Sequence, residues 1–190
     1  MTPNPSTRLN DVQSRVWQEL TRAPHDRHHE WRTPVLSTQG LSGSGPQART
    51  VVLRHADAQL WLLRVFTDAR SPKCAELAAQ PLTQLTFWSK RLNWQLRAAA
   101  RAAVLTEGEV VDAAWQRVAQ SAAAGDYTSA LAPGSSQSDA QAALAKGSTS
   151  VHHLAVIEFQ VSALDWLALR KEGHQRAVLS PSGDLEWLVP

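Results

Sequence analysis

From Val151 to Leu169 the chain alternates apolar and polar residues well enough for a long strand, with no proline or glycine between them. That period belongs to a single long strand, and most of the remaining chain supplies shorter ones. Arg49–His55 and Leu60–Thr67 are rich in β-branched and large apolar residues and flank Ala56–Gln59, which predicts a hairpin. Leu82–Ser89 and Asn93–Leu105 predict a second pair, whose later member has an alanine-rich centre. Arg32–Gln39 reads as a strand before the flexible turn Gly40–Pro46, and Gly173–Leu179 and Leu185–Val189 flank the turn Pro181–Asp184. Helix signals are few. Val12, Val16 and Leu20 recur every four residues within Asp11–Ala23, and Pro24 ends that stripe. Ser71-Pro72 places a hydroxyl at a helix N-cap and a proline at the first helical position, for a helix running to about Ala79. Thr106 with Glu109 fits a capping box that opens a third helix through Trp115 and Val118. Strands with three short helices among them predict a mainly β chain of the α+β or barrel kind, not an alternating βαβ fold.

A chain of 190 residues has room for one domain. It is expected over residues 11–190, after a loose polar tail at 1–10. Hydrophobic residues make up 43%, but 29 of them are alanine, so large core side chains are scarce and a partner subunit is expected to complete the core. Nineteen Lys and Arg against 17 Asp and Glu leave a net charge of +2, too shallow an excess to favour nucleic acid as a partner. The single Cys74 excludes an internal disulfide and a cysteine-rich zinc site. No apolar run reaches the length of a membrane span, and Met1–Asn10 has no signal-peptide core, so a soluble cytoplasmic protein is expected. Leu131–Ser150, rich in Ala, Ser, Gly and Gln, reads as a mobile loop or a marginal helix.

Familiar enzyme signatures are missing: there is no Walker-type loop, no G-x-S-x-G elbow and no H-E-x-x-H. His25, His28 and His29 crowd near Asp26 and Glu30 as solvated or capping side chains. His152 and His153, adjacent on a strand, would point to opposite faces and could not easily share a metal, so no metal site is expected. Lys73 beside Cys74 could lower its thiol pKa, but a buried inert thiol is the plainer reading. One group is more informative. Arg49-Thr50-Val51-Val52-Leu53-Arg54 begins one strand, and Phe66-Thr67-Asp68-Ala69-Arg70-Ser71-Pro72-Lys73 joins another to a helix start. Hydroxyls and cations beside a helix N-terminus suit a phosphate monoester, because unpaired N–H groups and the helix dipole favour an anion there.

The order of these pieces resembles the pyridoxamine 5′-phosphate oxidase-like family of FMN-binding split β-barrels. The resemblance rests on Arg49–Arg54, on Phe66-Thr67-Asp68-x-x-Ser71-x-Lys73, on Gln95-Leu96-Arg97, and on Trp166–Arg176 followed by Trp187–Pro190. It implies a mainly β split barrel with short peripheral helices, FMN as cofactor, and a homodimer with FMN at the subunit interface. By that resemblance Arg49, Ser71 and Lys73 take the FMN phosphate, with a hydroxyl from Thr67, which follows Phe66. The backbone of Thr50, Val51, Val52 and Leu53 lies along the flavin. Gln95 meets the pyrimidine edge, for which an amide has both a donor and an acceptor, and Trp166 and Arg176 reach the cofactor from the second subunit. The hydroxyls of Gly134-Ser135-Ser136 are further candidates for the phosphate.

The departures fall on the substrate side. Pro72 stands where the oxidase often has a second cation. The oxidase's Arg-x-His-x-Arg tail is here Glu172-Gly173-His174-Gln175-Arg176, and an acid in place of the first Arg opposes a phosphorylated substrate. Trp115–Ala124, mostly alanine, covers the family's substrate-phosphate cluster, with Arg117 as a partial substitute. Arg54 and His174 remain as candidate substrate contacts. The resemblance thus implies an FMN-dependent oxidoreductase acting on a small molecule other than pyridoxine phosphate, with no acid or base assigned. Its rivals are true pyridoxamine or pyridoxine 5′-phosphate oxidase activity, and a non-catalytic flavin-binding module.

Overall fold

The computed structural model describes residues 9–136, 138 and 151–190, so the expectations for the tail before Leu9 and for most of 131–150 fall outside the described residues. The elements run α1 (Leu9–Arg22), β1 (Val35–Gln39), β2 (Pro46–Thr50), β3 (Leu53–Asp57), β4 (Leu62–Asp68) and α2 (Pro72–Ala79). They continue with β5 (Leu82–Ser89), β6 (Trp94–Leu105), α3 (Glu109–Val118), α4 (Gly125–Thr128), β7 (Leu154–Ala168), β8 (Gln175–Leu179) and β9 (Leu185–Leu188). Every pairing is antiparallel, in the order β2-β1-β5-β6-β7-β4-β3, with β8 on β7 and β9 on β8, and the sheet does not close.

The long strand read from the sequence is the axis of the molecule. β7 pairs with β6 along nearly its whole length, with β4 over its first half and with β8 over its last residues. A register shift between Ala99 and Ala100 of β6 opposes the extra residue Ser162, whose hydroxyl donates to the Ala99 carbonyl at 3.2 Å. Such a bulge bends a strand pair and tightens its twist, which lets one sheet curl around a core. Alanines 98, 100 and 102 face that core, and their small side chains leave room for α2 to pack over β6.

The expectation of a core short of large side chains is overturned by tryptophan. Trp17, Trp31, Trp61, Trp94 and Trp166 are all buried in one cluster with Leu36, Leu53, Leu85, Leu96 and Phe159. Trp94 meets Trp166 edge-on at 5.2 Å between ring centroids, and Trp17 meets Trp61 at 5.3 Å. Helix α1 lays Val12, Val16, Trp17 and Leu20 on this core. Each aliphatic side chain so buried stabilises the fold by about 1.5–3 kcal/mol relative to exposure. A second, smaller cluster of Val111, Ala114, Val118, Tyr127, Leu154 and Val156 seats α3 and α4 on the start of β7.

Four expectations need correction. Arg49–His55 is not one strand: β2 ends at Thr50 and β3 begins at Leu53, with Val51 and Val52 between the two ladders. Arg32 belongs to a short 3-10 turn, Glu30–Arg32, capped by His29, and the strand starts only after Pro34. Thr106 caps nothing; α3 starts from Gly108, whose φ of 94° lies where side-chain-bearing residues are strained. His152 and His153 precede β7 and do not share a strand.

Candidate functional site

Strand β4 ends beside the N-terminus of α2, and this junction concentrates polar side chains in an otherwise apolar region. Ser71 is the N-cap of α2, yet its hydroxyl caps no backbone N–H. Instead the Lys73 ammonium donates to Ser71 Oγ and to Thr67 Oγ1, each at 3.0 Å, and the two hydroxyls lie 3.2 Å apart. Thr67 and Ser71 are buried and Lys73 is half-buried. Burial lowers the Lys73 pKa, and the positive charge of Arg49 adds to that effect. A cation held by hydroxyls, with its carboxylate neighbours engaged elsewhere, is equipped for an added anion.

Arg49, on β2, faces the same region across α2. Its guanidinium donates to Glu76 Oε2 at 2.8 Å and also to the Thr38 hydroxyl, which itself donates to Glu76 at 2.6 Å. Glu76 is buried, and it is a residue that sequence reasoning did not single out. Its signal was its position one helical turn after Lys73 on the same face of α2. Asp68 is tied to Arg70, which also donates to the carbonyls of Ser129 and Leu131 and so fastens the chain after α4 to the end of β4. Burial alone would raise the Asp68 carboxyl, but the hydrogen bonds from Arg70 outweigh it and hold the pKa low. Cys74 is buried, its thiol pushed up by that burial, as the plainer reading expected.

A second group lies elsewhere on the sheet. Thr67 pairs with Ala155 near the start of β7, whereas Gln95 pairs with Leu167 near its end. Register then builds a row across four strands on the outward face: Trp88, Gln95, Leu167 and Arg176. In the next row Arg97 opposes Asp165, and the Asp165 carboxylate takes Arg176 Nε at 3.0 Å, Arg176 Nη2 at 2.7 Å and Arg97 Nη2. Gln95 and Arg176 are therefore neighbours within one chain, apart from the Lys73 group. Arg97 stands in the Gln95-Leu96-Arg97 motif with no expected role of its own, and no sequence motif marks Asp165.

The other predicted residues scatter. Trp166 points to the opposite face of β7 from Asp165, is 1% exposed, and packs between Trp94 and Trp187. Within one chain it offers a cofactor no surface. Val51 and Leu53 are buried, Thr50 is exposed and Val52 is half-buried. Arg54 sits over the Phe66 ring at 5.7 Å, its buried Nε has no partner, and its charge offsets part of the rise that burial imposes on the Tyr127 hydroxyl. Trp115 stacks on His152 at 4.3 Å close by in the second cluster, and Arg117 is exposed. His174 is exposed and uses Nδ1 to accept from the Arg170 N–H within its own turn. Ser135 donates to the Ala132 carbonyl. Among the described residues no cluster of metal-ligating side chains occurs, and no helix is long and apolar enough to cross a membrane.

Comparison with known proteins fits this geometry. Residues 14–106 match the pyridoxamine 5′-phosphate oxidase, FMN-binding domain. A pyridoxine/pyridoxamine 5′-phosphate oxidase of Thermosynechococcus vestitus is 40% identical over 85 residues, which are 45% of this chain and 38% of that enzyme. The aligned stretch thus spans well under half of that relative. Two solved structures share the fold. An FMN-binding, pyridoxamine 5′-phosphate oxidase-related protein of Nostoc punctiforme has a TM-score of 0.72 at 20% identity, covering 93% of this chain and 96% of that one. PhzG of Burkholderia lata, solved with tetrahydrophenazine-1-carboxylic acid, has a TM-score of 0.69 at 17% identity, covering 100% and 98%. With its open antiparallel sheet, the FMN-binding domain matched over residues 14–106 and the fold it shares with these neighbours, the chain is similar to the pyridoxamine 5′-phosphate oxidase-like FMN-binding split barrels.

Proposed function

We propose that this chain is an FMN-dependent oxidoreductase that works as a homodimer on a small molecule other than pyridoxine phosphate. The observation that carries the reading is the Lys73–Thr67–Ser71 group at the start of α2. A half-buried ammonium answered only by hydroxyls fits a phosphate dianion, and Ser71 keeps its hydroxyl free of capping to join it. Lys73, Ser71, Thr67 and Arg49 hold the phosphate, while Glu76 and Thr38 fix the direction of Arg49. The chain from Thr50 to Leu53, which breaks between two ladders at Val51 and Val52, is the backbone offered to the flavin beside Phe66. Gln95 meets the pyrimidine edge, and because it shares one face of the sheet with Arg176 and lies apart from Lys73, both arrive from the second copy. Trp166 has no part in this assignment because of its burial. When bound, FMN supplies the hydride or electron chemistry, and the protein supplies orientation and electrostatics.

The substrate side supports a changed substrate. Glu172 is exposed at the β7–β8 turn, where a phosphorylated ligand would meet a negative charge, and His174 is engaged in that turn. Ser121 already donates to the Val118 carbonyl, and Ala113 and Ala119 offer no side-chain donor. Arg54 is left as the cation of this region, among Phe66 and Tyr127.

An absorption spectrum from 300 to 550 nm, before and after FMN is added, tests the cofactor. A thermal melt run in parallel should rise, since a ligand at about 100 times its Kd stabilises the fold by roughly 2.7 kcal/mol. Bound flavin that a nicotinamide or other donor reduces, and that a second substrate reoxidises with turnover, supports the oxidoreductase. Flavin that no donor reduces would leave a binding module. Pyridoxal phosphate formed with oxygen uptake would restore the parent activity and sink the changed substrate.

A further inference from the structure

Arg97, Asp165 and Arg176 stand on the adjacent strands β6, β7 and β8, on the outward face of the sheet. Arg176 grips the Asp165 carboxylate with Nε and Nη2 together, and Arg97 reaches the same oxygen as Nη2 of Arg176. Two guanidiniums thus share one carboxylate. Side-chain exposures of 37% for Arg97, 17% for Asp165 and 30% for Arg176 leave the trio reachable from outside yet shielded enough for its charges to be felt. As a mere surface brace such an arrangement contributes little, since exposed ion pairs are screened by solvent and cost side-chain entropy to hold. Its position gives it more to do. Gln95 lies two residues from Arg97 on the same face, and Leu167, between Gln95 and Arg176, is apolar.

We propose that Asp165 is a positioning residue that fixes the Arg176 guanidinium and offsets its charge, and that it thereby holds the reduction potential of the bound flavin below the value two uncompensated guanidiniums would give. The proposal rests on the reading that Arg176 and Gln95 meet the flavin. A planar guanidinium bound through Nε and Nη2 has its orientation fixed, which fixes the directions of its two Nη1 N–H groups and its remaining Nη2 N–H. Reduction places negative charge on the ring, so each uncompensated cation near the edge favours the reduced form and each nearby carboxylate opposes it. Burial alone would raise the Asp165 carboxyl, but the bonds from Arg176 and Arg97 prevail and keep it ionised through neutral pH. Asp165 therefore acts as a standing negative charge at this place.

The full chain loaded with FMN tests this through the midpoint potential, measured by spectral titration against a reference dye, together with the FMN Kd from fluorescence quenching. Asp165→Asn should raise the potential and Arg97→Gln should lower it, with the wild type between them. A tenfold change in the preference for reduced over oxidised flavin reads as about 30 mV for a two-electron couple. A brace without electrostatic consequence would move neither potential, and that result overturns the proposal. A fall in Asp165→Asn overturns it as well, since it would mean that Asp165 raises the potential by holding Arg176 in place and does not hold it down by its charge. If Asp165→Asn does not fold, Arg97→Gln decides alone: a lowered potential supports the proposal and an unchanged one sinks it. Arg176→Gln separates the layers. Loss of neither affinity nor potential in that variant would remove the reading that Arg176 meets the flavin, and the proposal with it.

Discussion

Lys73, the proposed phosphate ligand, carries its charge at the expense of the ligand-free protein. Burial lowers its pKa from the ordinary 10.5, with Arg49 adding to the effect. The unfolded chain therefore binds this proton more tightly than the folded one, and stability of the ligand-free protein should rise with pH between the lowered folded pKa and the unfolded value. Lys73→Met should abolish that slope and raise the melting temperature without ligand, because it removes a poorly compensated, half-buried cation. The same change should weaken FMN binding about 10- to 100-fold, the range expected when a charge-assisted bond is lost. Opposite signs in the two measurements are the test; a variant that melts lower and binds FMN as before would dismiss Lys73 as a phosphate ligand. At this scale the sequence was informative for a physical reason. Thr67, Ser71 and Lys73 are local to one strand–helix junction, so their spacing alone brings them together. Asp165 was illegible because its contacts with Arg97 and Arg176 exist only in the folded sheet, and Glu76, though one helical turn from Lys73, meets Arg49 only through the fold.

Elements were legible where one period ran uninterrupted. β7 and α1 fall close to their expected bounds, because the first alternates without Gly or Pro and the second carries a four-residue stripe closed by Pro24. The failures come from backbone events that propensity does not encode. The run Arg49–His55 is β-prone throughout, yet it serves two pairings, β2 with β1 and β3 with β4, and the chain must break its ladder to pass between them. The capping box at Thr106 lost to Gly108, whose positive φ redirects the chain from the end of β6 into α3. Gly108→Ala should accordingly destabilise the protein although nothing lies within 4 Å of where a Cβ would stand. Strain in that backbone region costs on the order of 1–3 kcal/mol. Urea unfolding should show it as a lower midpoint at constant slope, and an alanine variant as stable as the parent would mean that α3 starts elsewhere.

At the scale of the whole molecule, the sheet's strand order was beyond sequence reading. Hairpins could be inferred from neighbouring runs, but β7 sits between β4 and β6, both distant from it in the chain. The outward face that this order creates carries Val35, Leu82 and Trp88 exposed around Gln95 and Arg97. Trp88 stands in register with Gln95, so an apolar side chain directly flanks a residue assigned to the flavin edge. The proposed homodimer explains why large apolar groups gather on a face that also carries a charged trio, since interface centres favour aromatic residues and arginine. Sedimentation of the wild type should give a two-chain species. Leu82→Glu combined with Val35→Glu should shift it to a single chain, with secondary structure intact because both side chains are already exposed and outside the core. The variant should lose FMN affinity at the same time, because in the proposed dimer Arg176 comes from the second copy, even though neither substitution touches Lys73, Ser71 or Thr67. A single-chain variant with unchanged FMN affinity would confine the flavin site to one chain, and a wild type that sediments as one chain would remove the dimer from the proposed function.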